Sequence, residues 1–391
     1  MHQGRERTFN IGRLILPGET NETIMNEQIR INWYRCKADK AAMSVLMKSS
    51  DAKAFRHVFL QLALFALTGT LAYMSFLNIN AANWTWSAPL LAAALFVHGT
   101  FSSFLGGGIP MHELCHKTPF RTKMWNEVFL RLYCFLGWND FVSYRVSHVK
   151  HHQFTVHKDH DGEVVLPQKL DWDSVRFVLS LLTINPKHIF GTIRGFVRAA
   201  GGDACAGIFF QREWMERLLP ESSTELRAQH RNWARIVLFG HLLLAAIFIA
   251  TGHWFLIVVV NLGAFYAGWL TMLCGAPQHI GMSPDVPDFR LCCRTYTCSW
   301  LPAFLYWNMQ YHVEHHMFPS VPFYNLGRLR KLIEYDLPPA PHGLWATWKE
   351  IIAVLKKQRE DATYVFVPKL PRNQGERTSD SQLWIEAARE S

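Results

Sequence analysis

Eight histidines of this 391-residue chain fall into three clusters whose spacing suits metal binding. The first cluster has the pattern H-x-x-x-H, and the other two share the pattern H-x-x-H-H. Residues three and four positions apart lie on one face of a helix, so each cluster can direct its imidazoles to one place. The clustered residues are His112, His116, His148, His151, His152, His312, His315 and His316. Eight neutral imidazoles exceed the coordination of one metal, and imidazole suits zinc, copper, iron and nickel alike, so the spacing predicts a site for two metal ions.

Other polar residues lie close to these clusters in the sequence. His279 follows the last apolar block, at the level where the clusters must meet. It is either a ninth ligand or a polar residue at a membrane boundary. His157 and His160 follow the second cluster, and we expect them to have supporting or surface roles. Asp161 and Glu163 come next and either orient ligand imidazoles, as carboxylates around metal sites often do, or belong to a solvated loop.

Two long blocks of the sequence contain no Asp, Glu, Lys or Arg. One runs from Val58 to His112, and the other from Ile236 to Pro284. A helix that spans a membrane needs about 20 mostly apolar residues, so each block can hold two spans joined by a turn. The predicted spans are Phe59–Asn78, Pro89–Gly107, Ile236–Ala250 and Trp254–Leu273. The predicted fold class is an all-α integral membrane protein, with about four transmembrane helices and a cytoplasmic helical cap that holds the metal site.

The distribution of charge predicts which side of the membrane carries the clusters. An even number of spans returns the chain to its starting side, which places all three clusters and every Lys and Arg at one face. Basic residues are in excess on cytoplasmic loops, so this face is expected to be cytoplasmic. The formal net charge of +9 suits anionic lipid headgroups and, without a compact basic helix, does not indicate nucleic-acid binding. We expect the endoplasmic reticulum membrane in a eukaryote and the cytoplasmic membrane in a bacterium.

The sequence divides into three predicted regions. Residues 1–57 form an N-terminal cytoplasmic segment, residues 58–335 the membrane catalytic domain, and residues 336–391 a C-terminal cytoplasmic segment with a polar tail. Within the catalytic domain, the segment Asp173–Arg198 mixes apolar and basic residues and is interrupted by Pro186, which favours two helices in the membrane plane. The eight cysteines form no C-x-x-C pair and are expected to be unpaired thiols.

The three histidine clusters together resemble the boxes of the membrane fatty acid desaturase superfamily. The stretch Met317–Leu326 is similar to the residues that follow the third box in that family, and the resemblance covers about residues 55–335. It implies that the eight clustered histidines hold two non-haem irons and that His279 completes the ligand set. The third box begins with His312, where front-end desaturases have Gln, so the resemblance does not extend to that subgroup.

The resemblance also implies a chemistry. Dioxygen is reduced at two irons with external electrons, a methylene group of a fatty acyl or lipid-like chain loses hydrogen, and loss of a second hydrogen leaves a double bond. Return of oxygen to the carbon gives an alcohol instead, so a hydroxylase is the alternative within this superfamily. A metal transporter is a further alternative, but transporters place their ligands near the membrane midplane, whereas these clusters lie at or beyond the ends of the spans.

The source of electrons is predicted to lie outside the chain. The sequence contains no His-Pro-Gly-Gly haem motif, no C-x-x-C set and no Gly-rich dinucleotide fingerprint. We therefore expect electrons from NAD(P)H to arrive through a separate carrier, of the cytochrome b type or a ferredoxin, and its reductase. The lipid bilayer and the lipid-like substrate complete the expected partners.

Overall fold

The structure is a computed structural model that describes residues 30–168 and 170–371. Within these residues the chain consists of α-helices joined by loops and short turns, with two isolated β-bridges and no longer strand. The predicted all-α fold class is confirmed. The N-terminal residues 1–29 and the last part of the predicted polar tail, residues 372–391, lie outside the described residues.

Sixteen α-helices follow one another along the described chain. They are α1 (Lys40–Leu46), α2 (Asp51–Leu77), α3 (Trp84–Gly106), α4 (Ile109–Cys115), α5 (Lys123–Leu136), α6 (Phe141–Phe154), α7 (Val175–Leu182), α8 (Pro186–Ala200), α9 (Arg212–Leu218), α10 (Thr224–Ala250), α11 (Trp269–Gly275), α12 (Phe289–Cys292), α13 (Trp300–Leu305), α14 (His312–Met317), α15 (Leu326–Ile333) and α16 (Gly343–Glu360). Several begin at a polar residue that caps the first turn, as Ser50 does for α2 by accepting from the N–H of Lys53.

Three stretches of helix are long and apolar enough to cross a membrane. They are Asp51–Leu77, Trp84–Cys115 and Thr224–Ala250. The second stretch joins α3 to α4 through Gly108, whose positive φ of 74° is a conformation that glycine adopts without strain. These stretches contain the first three predicted spans except for Asn78, which caps the end of α2, so the apolar blocks form long helices as expected.

The fourth predicted span, Trp254–Leu273, departs from the prediction because it is not one helix. It contains a π-helical turn at Ile257–Asn261, a 3-10 turn at Gly263–Phe265 and an extended residue, Tyr266, before α11 begins. The run of β-branched residues at 257–260 and the glycines of this segment favour a continuous helix only weakly.

Side chains from distant parts of the chain bond two backbone carbonyl oxygens of this break. The imidazole Nε2 of His98 lies 2.9 Å from the carbonyl oxygen of Val259, and the indole of Trp138 donates to the carbonyl oxygen of Asn261 at 2.8 Å. The Asn261 amide in turn donates to the carbonyl oxygen of His241 at 2.8 Å. Irregular backbone among apolar helices is tolerated where protein groups supply its hydrogen bonds, which explains His98 inside α3. The imidazole of His241 instead bonds the carbonyl oxygen of Phe135 at 2.9 Å.

The segment predicted as a helix pair does form two helices. The Asn185 side chain accepts from the N–H of His188, and Pro186 occupies the first turn of α8, where its missing N–H costs nothing. Helix α7 buries none of its residues, whereas α8 packs against α10. All eight cysteines are free thiols, as predicted.

Candidate metal centre

Short helices at or beyond the ends of the long apolar stretches position the three histidine clusters. His112 lies on α4 and His116 ends it, the second cluster lies on the last half of α6, and α14 consists largely of the third cluster. Asp140 fixes α6 in place, because its carboxylate accepts from the N–H groups of Val142 and Ser143 and also bonds the imidazole of His230 on α10 at 2.8 Å. The second cluster is therefore tied directly to a long apolar helix.

The fold brings all nine predicted histidines together in two groups. Within each group, one ring nitrogen of every member lies within 4.8 Å of those of the others. The five-histidine group contains His112, His116, His148, His152 and His315, and the four-histidine group contains His151, His279, His312 and His316. Neither group contains a cysteine or a carboxylate, so the donors are imidazoles alone. The two groups share the second and third clusters and therefore lie side by side.

The distances between ring nitrogens in the four-histidine group fit a metal ion between them. The Nε2 atom of His312 lies 2.9 Å from that of His279 and 3.1 Å from that of His316. His279 donates its Nδ1–H to the carbonyl oxygen of Cys292, and His316 directs its Nδ1 to the hydroxyl oxygen of Thr155, which itself donates to a backbone carbonyl. The Nε2 atoms of His279 and His316 therefore carry lone pairs and can only accept hydrogen bonds. Both face Nε2 of His312, which has at most one N–H and can donate to only one of them.

The five-histidine group has the same character. The Nε2 atom of His148 lies 3.0 Å from that of His116 and 3.1 Å from that of His152, which lies 3.2 Å from that of His315. The Nε2 atom of His112 is buried without a hydrogen-bond partner among the described residues. Ligands about 2.1 Å from one metal lie about 3 Å apart at right angles, so these nitrogens are spaced as ligands of a shared ion would be.

Carboxylates behind the imidazoles hold them in the orientation that metal binding needs. Asp161 accepts from Nδ1 of His151 at 2.7 Å, and Glu163 accepts from Nδ1 of His148 at 2.9 Å. A proton held on Nδ1 leaves the lone pair on Nε2, where the other ligands meet. Of the two roles considered for these acids from the sequence, the structure shows the orienting one.

One carboxylate of the site was not predicted from the sequence. Glu113 is buried between two clusters, with Oε1 3.2 Å from Nδ1 of His112 and 3.7 Å from Nδ1 of His315. It links the first box to the third. Its place next to His112 in the first box could have indicated this role, because a glutamate on a buried helix has few partners other than the neighbouring histidines.

Burial keeps most of these imidazoles in the form that binds metal. It lowers the pKa of His116 and of His279 to about 3, and it holds the pKa of His312 well below the usual range. Burial also acts on His151, but the negative charge and the hydrogen bond of Asp161 outweigh it and raise the pKa of His151. Since metals bind the neutral imidazole, the site is prepared for a cation rather than for its own protonation.

Two further histidines beside the second cluster do not join either group. The His157 ring nitrogen Nδ1 bonds the carbonyl oxygen of Thr155 at 3.0 Å, and its ring packs edge-on against Trp33 at 5.3 Å. His160 packs against Phe154. Both therefore support the loop that follows α6, in agreement with the roles expected for them.

Comparison with known proteins agrees with this geometry. The family described as fatty acid desaturase matches residues 84–348, a range that includes all nine histidines. The sphingolipid delta(4)-desaturase of Komagataella phaffii is 27% identical over 247 residues, which make up 60% of this chain and 60% of that protein. The chain thus matches less than two thirds of that relative's length. Because the family match covers more than half of the sequence and its whole histidine constellation, the chain belongs to the fatty acid desaturase family, as the resemblance of its histidine boxes predicted.

Proposed function

We propose that the protein is a membrane oxidase that introduces a double bond into the hydrocarbon chain of a lipid. The observation that carries the proposal is the pair of adjacent histidine groups, of which seven members are buried and two half-buried, and which contains nine imidazoles and no thiolate. We assign two irons to these groups, with dioxygen as co-substrate. When bound, the irons would supply the oxidising power to remove hydrogen from an unactivated methylene group.

In this proposal, residues of the chain bind the metal ions, hold the imidazole rings in orientation and exclude water. The nine imidazoles would bind the irons through Nε2. Asp161, Glu163 and Glu113 keep the rings of their histidine partners in the orientations described above. Burial of seven of the nine imidazoles would limit the access of bulk water to the reacting methylene. The name of the matched relative supports a sphingolipid-type chain as substrate and desaturation as the outcome. Hydroxylation remains the alternative outcome of the same site.

The source of the electrons, the side of the membrane that carries the site and the bounds of the catalytic domain belong to the same proposal. Electrons come from NAD(P)H through a reductase and a separate carrier that docks on the basic face, where complementary charge speeds encounter. That face is assigned to the cytoplasm because basic residues accumulate there. Residues 58–335 form the catalytic domain within this scheme.

The test uses purified protein reconstituted in liposomes with a saturated sphingoid lipid, a carrier and its reductase. Mass spectrometry distinguishes a product that has lost two hydrogens from one that has gained an oxygen. We expect the first, with many turnovers only when NAD(P)H and dioxygen are both present. His315→Ala removes a member of the five-histidine group, and His160→Ala is the matched control outside both groups.

The outcomes separate the alternatives. A hydroxylated product in place of the unsaturated one would assign the protein to the alternative reaction. Undiminished product without dioxygen, or equal activity of His315→Ala and the wild type, would contradict the oxidase proposal itself.

A further inference from the structure

A cavity of about 230 Å³ lies behind α14, outside both histidine groups. Three basic residues from separate parts of the chain line it, namely Arg294, Arg330 and Lys369, together with one acid, Glu350. The remaining lining is mostly apolar and includes Val313 of α14. Its volume is several times the share of about 30 Å³ that one water molecule occupies in the liquid, so a small polar group fits.

Arg294 carries a donor that has no partner within residues 30–168 and 170–371. The residue is only 4% exposed. Its Nε donates to Glu350 at 3.0 Å, and its Nη1 donates to the carbonyl oxygens of Pro277 and Ile280 at 2.7 and 2.9 Å. Its Nη2 is buried and has no hydrogen-bond partner among the described residues. A buried donor without an acceptor is unfavourable, so this nitrogen requires an acceptor that the described residues do not supply.

The charges around the cavity favour an anion. Arg330 is paired with Glu314 at 2.6 Å, and Arg294 is paired with Glu350. Lys369 is exposed at the rim. The three cations and two carboxylates leave one positive charge in excess, and the cations belong to separate parts of the chain. A tetrahedral oxyanion accepts bonds from several sides, whereas a planar carboxylate suits a single fork.

We propose that this cavity binds a phosphate group, which Arg294 Nη2 and Lys369 recognise with support from Arg330. The group is either inorganic phosphate or the phosphate monoester of a lipid headgroup, which share this chemistry. This inference does not depend on the proposed reaction, since it concerns binding at residues outside the histidine groups.

An anion bound in the cavity would affect the four-histidine group through two sets of contacts. The carbonyl oxygens of Pro277 and Ile280, which Arg294 holds, flank His279 in the sequence. Glu314, which Arg330 holds, lies between His312 and His315 on α14. The bound anion would therefore fix the loop of His279 and the helix of the third box at the same time.

The first experiment measures binding of radiolabelled inorganic phosphate to the purified full chain in a neutral detergent by equilibrium dialysis. We expect one phosphate per chain. Lys369→Gln removes an exposed charge and should weaken binding about threefold, while Arg294→Lys removes the unpaired donor and should weaken it about tenfold. Lys349→Gln changes the same charge at an exposed position that does not line the cavity, and it should bind as the wild type does.

The second experiment distinguishes the source of the phosphate. Native mass spectrometry counts phosphatidic acid and phosphatidylcholine that remain bound to each variant. Retention of phosphatidic acid that Lys369→Gln lowers and Lys349→Gln does not would identify a lipid headgroup, even if inorganic phosphate binds weakly. Binding of inorganic phosphate alone would identify the free ion. If neither probe binds, or if Lys369→Gln and a folded Arg294→Lys bind both probes as the wild type does, the assignment is overturned.

Discussion

Under the proposed assignment of two irons, replacing Asp161 by Asn should empty one of the two metal positions and leave the other filled. Asp161 is buried and accepts four hydrogen bonds. Its Oδ2 accepts from His151 Nδ1 at 2.7 Å and from the N–H of Val156 at 2.8 Å, and its Oδ1 accepts from the N–H groups of Glu163 and Val164 at 2.9 and 3.3 Å. An asparagine of the same shape has only one acceptor oxygen, so one side of the residue loses its partners.

The magnitude follows from which partners are lost. If the amide oxygen keeps the N–H groups of Glu163 and Val164, the amide nitrogen faces His151. The imidazole must then adopt the tautomer whose lone pair is on Nδ1. Its proton then lies on Nε2, where the four-histidine group meets. Loss of such an outer partner costs about 10- to 100-fold in metal affinity, which corresponds to about 1.4 to 2.8 kcal/mol. The N–H of Val156 loses its acceptor as well, which destabilises the fold by about 1 to 3 kcal/mol.

The assay is a chelator titration of the iron-loaded protein, with iron counted per chain at each chelator concentration. Wild type should release its metal in steps at high chelator, whereas Asp161→Asn should lose one iron early and keep the second. Asp159→Asn is the matched control: this residue is exposed on the same loop, and its positive φ of 66° is one that Asn tolerates. Two irons of wild-type affinity in Asp161→Asn would refute the reasoning.

Three further predictions test other parts of the structure. Alanine at any single ligand should abolish turnover of the reconstituted enzyme, and retained activity in several variants would contradict the assignment of His112, His116, His148, His151, His152, His279, His312, His315 and His316. His98→Leu should lower the stability measured by thermal unfolding in detergent by about 1 to 3 kcal/mol, because the Val259 carbonyl loses its partner inside the bundle; an unchanged unfolding temperature would show that this bond is dispensable. Gly99→Ala should be far more damaging, since its Cβ would lie 2.3 Å from the ring of Tyr266. Gly191→Ala on α8, where a Cβ meets nothing within 4 Å, should be neutral or gain about 0.5 to 1 kcal/mol, and equal behaviour of the two glycine variants would mean that the close contact at Gly99 is absent.

The sequence predicted which histidines assemble, and helix geometry explains how they divide. At about 100° per residue, the i+4 position lies about 40° from i, and the i+3 position lies about 60° away on the other side. An H-x-x-H-H box on a helix therefore splits into a pair and a single imidazole. His148 and His152 accordingly join one group and His151 the other, and the third box divides in the reverse sense. Which group receives the pair depends on how α6 and α14 meet, which local spacing does not encode.

Other features were beyond the reach of local patterns because distant residues create them. The hydropathy of Trp254–Leu273 indicated a span, yet the break in this segment is stabilised by His98 and Trp138, which are more than a hundred residues away. Glu113 likewise acquires its second contact only when α14 folds against α4. In contrast, the helix pair around Pro186 was predictable, because a proline and the asparagine before it specify a helix start locally.

The broken fourth segment also constrains the order in which the chain can be built into a bilayer. A continuous apolar helix satisfies its own backbone and can enter lipid alone, whereas two backbone carbonyls of this segment take their partners from His98 and Trp138. Both residues precede the segment in the sequence, so they have already been synthesised when the segment emerges from the ribosome. We therefore expect residues 254–268 to leave the insertion machinery last and to enter the membrane by docking onto a bundle that the earlier helices have already formed.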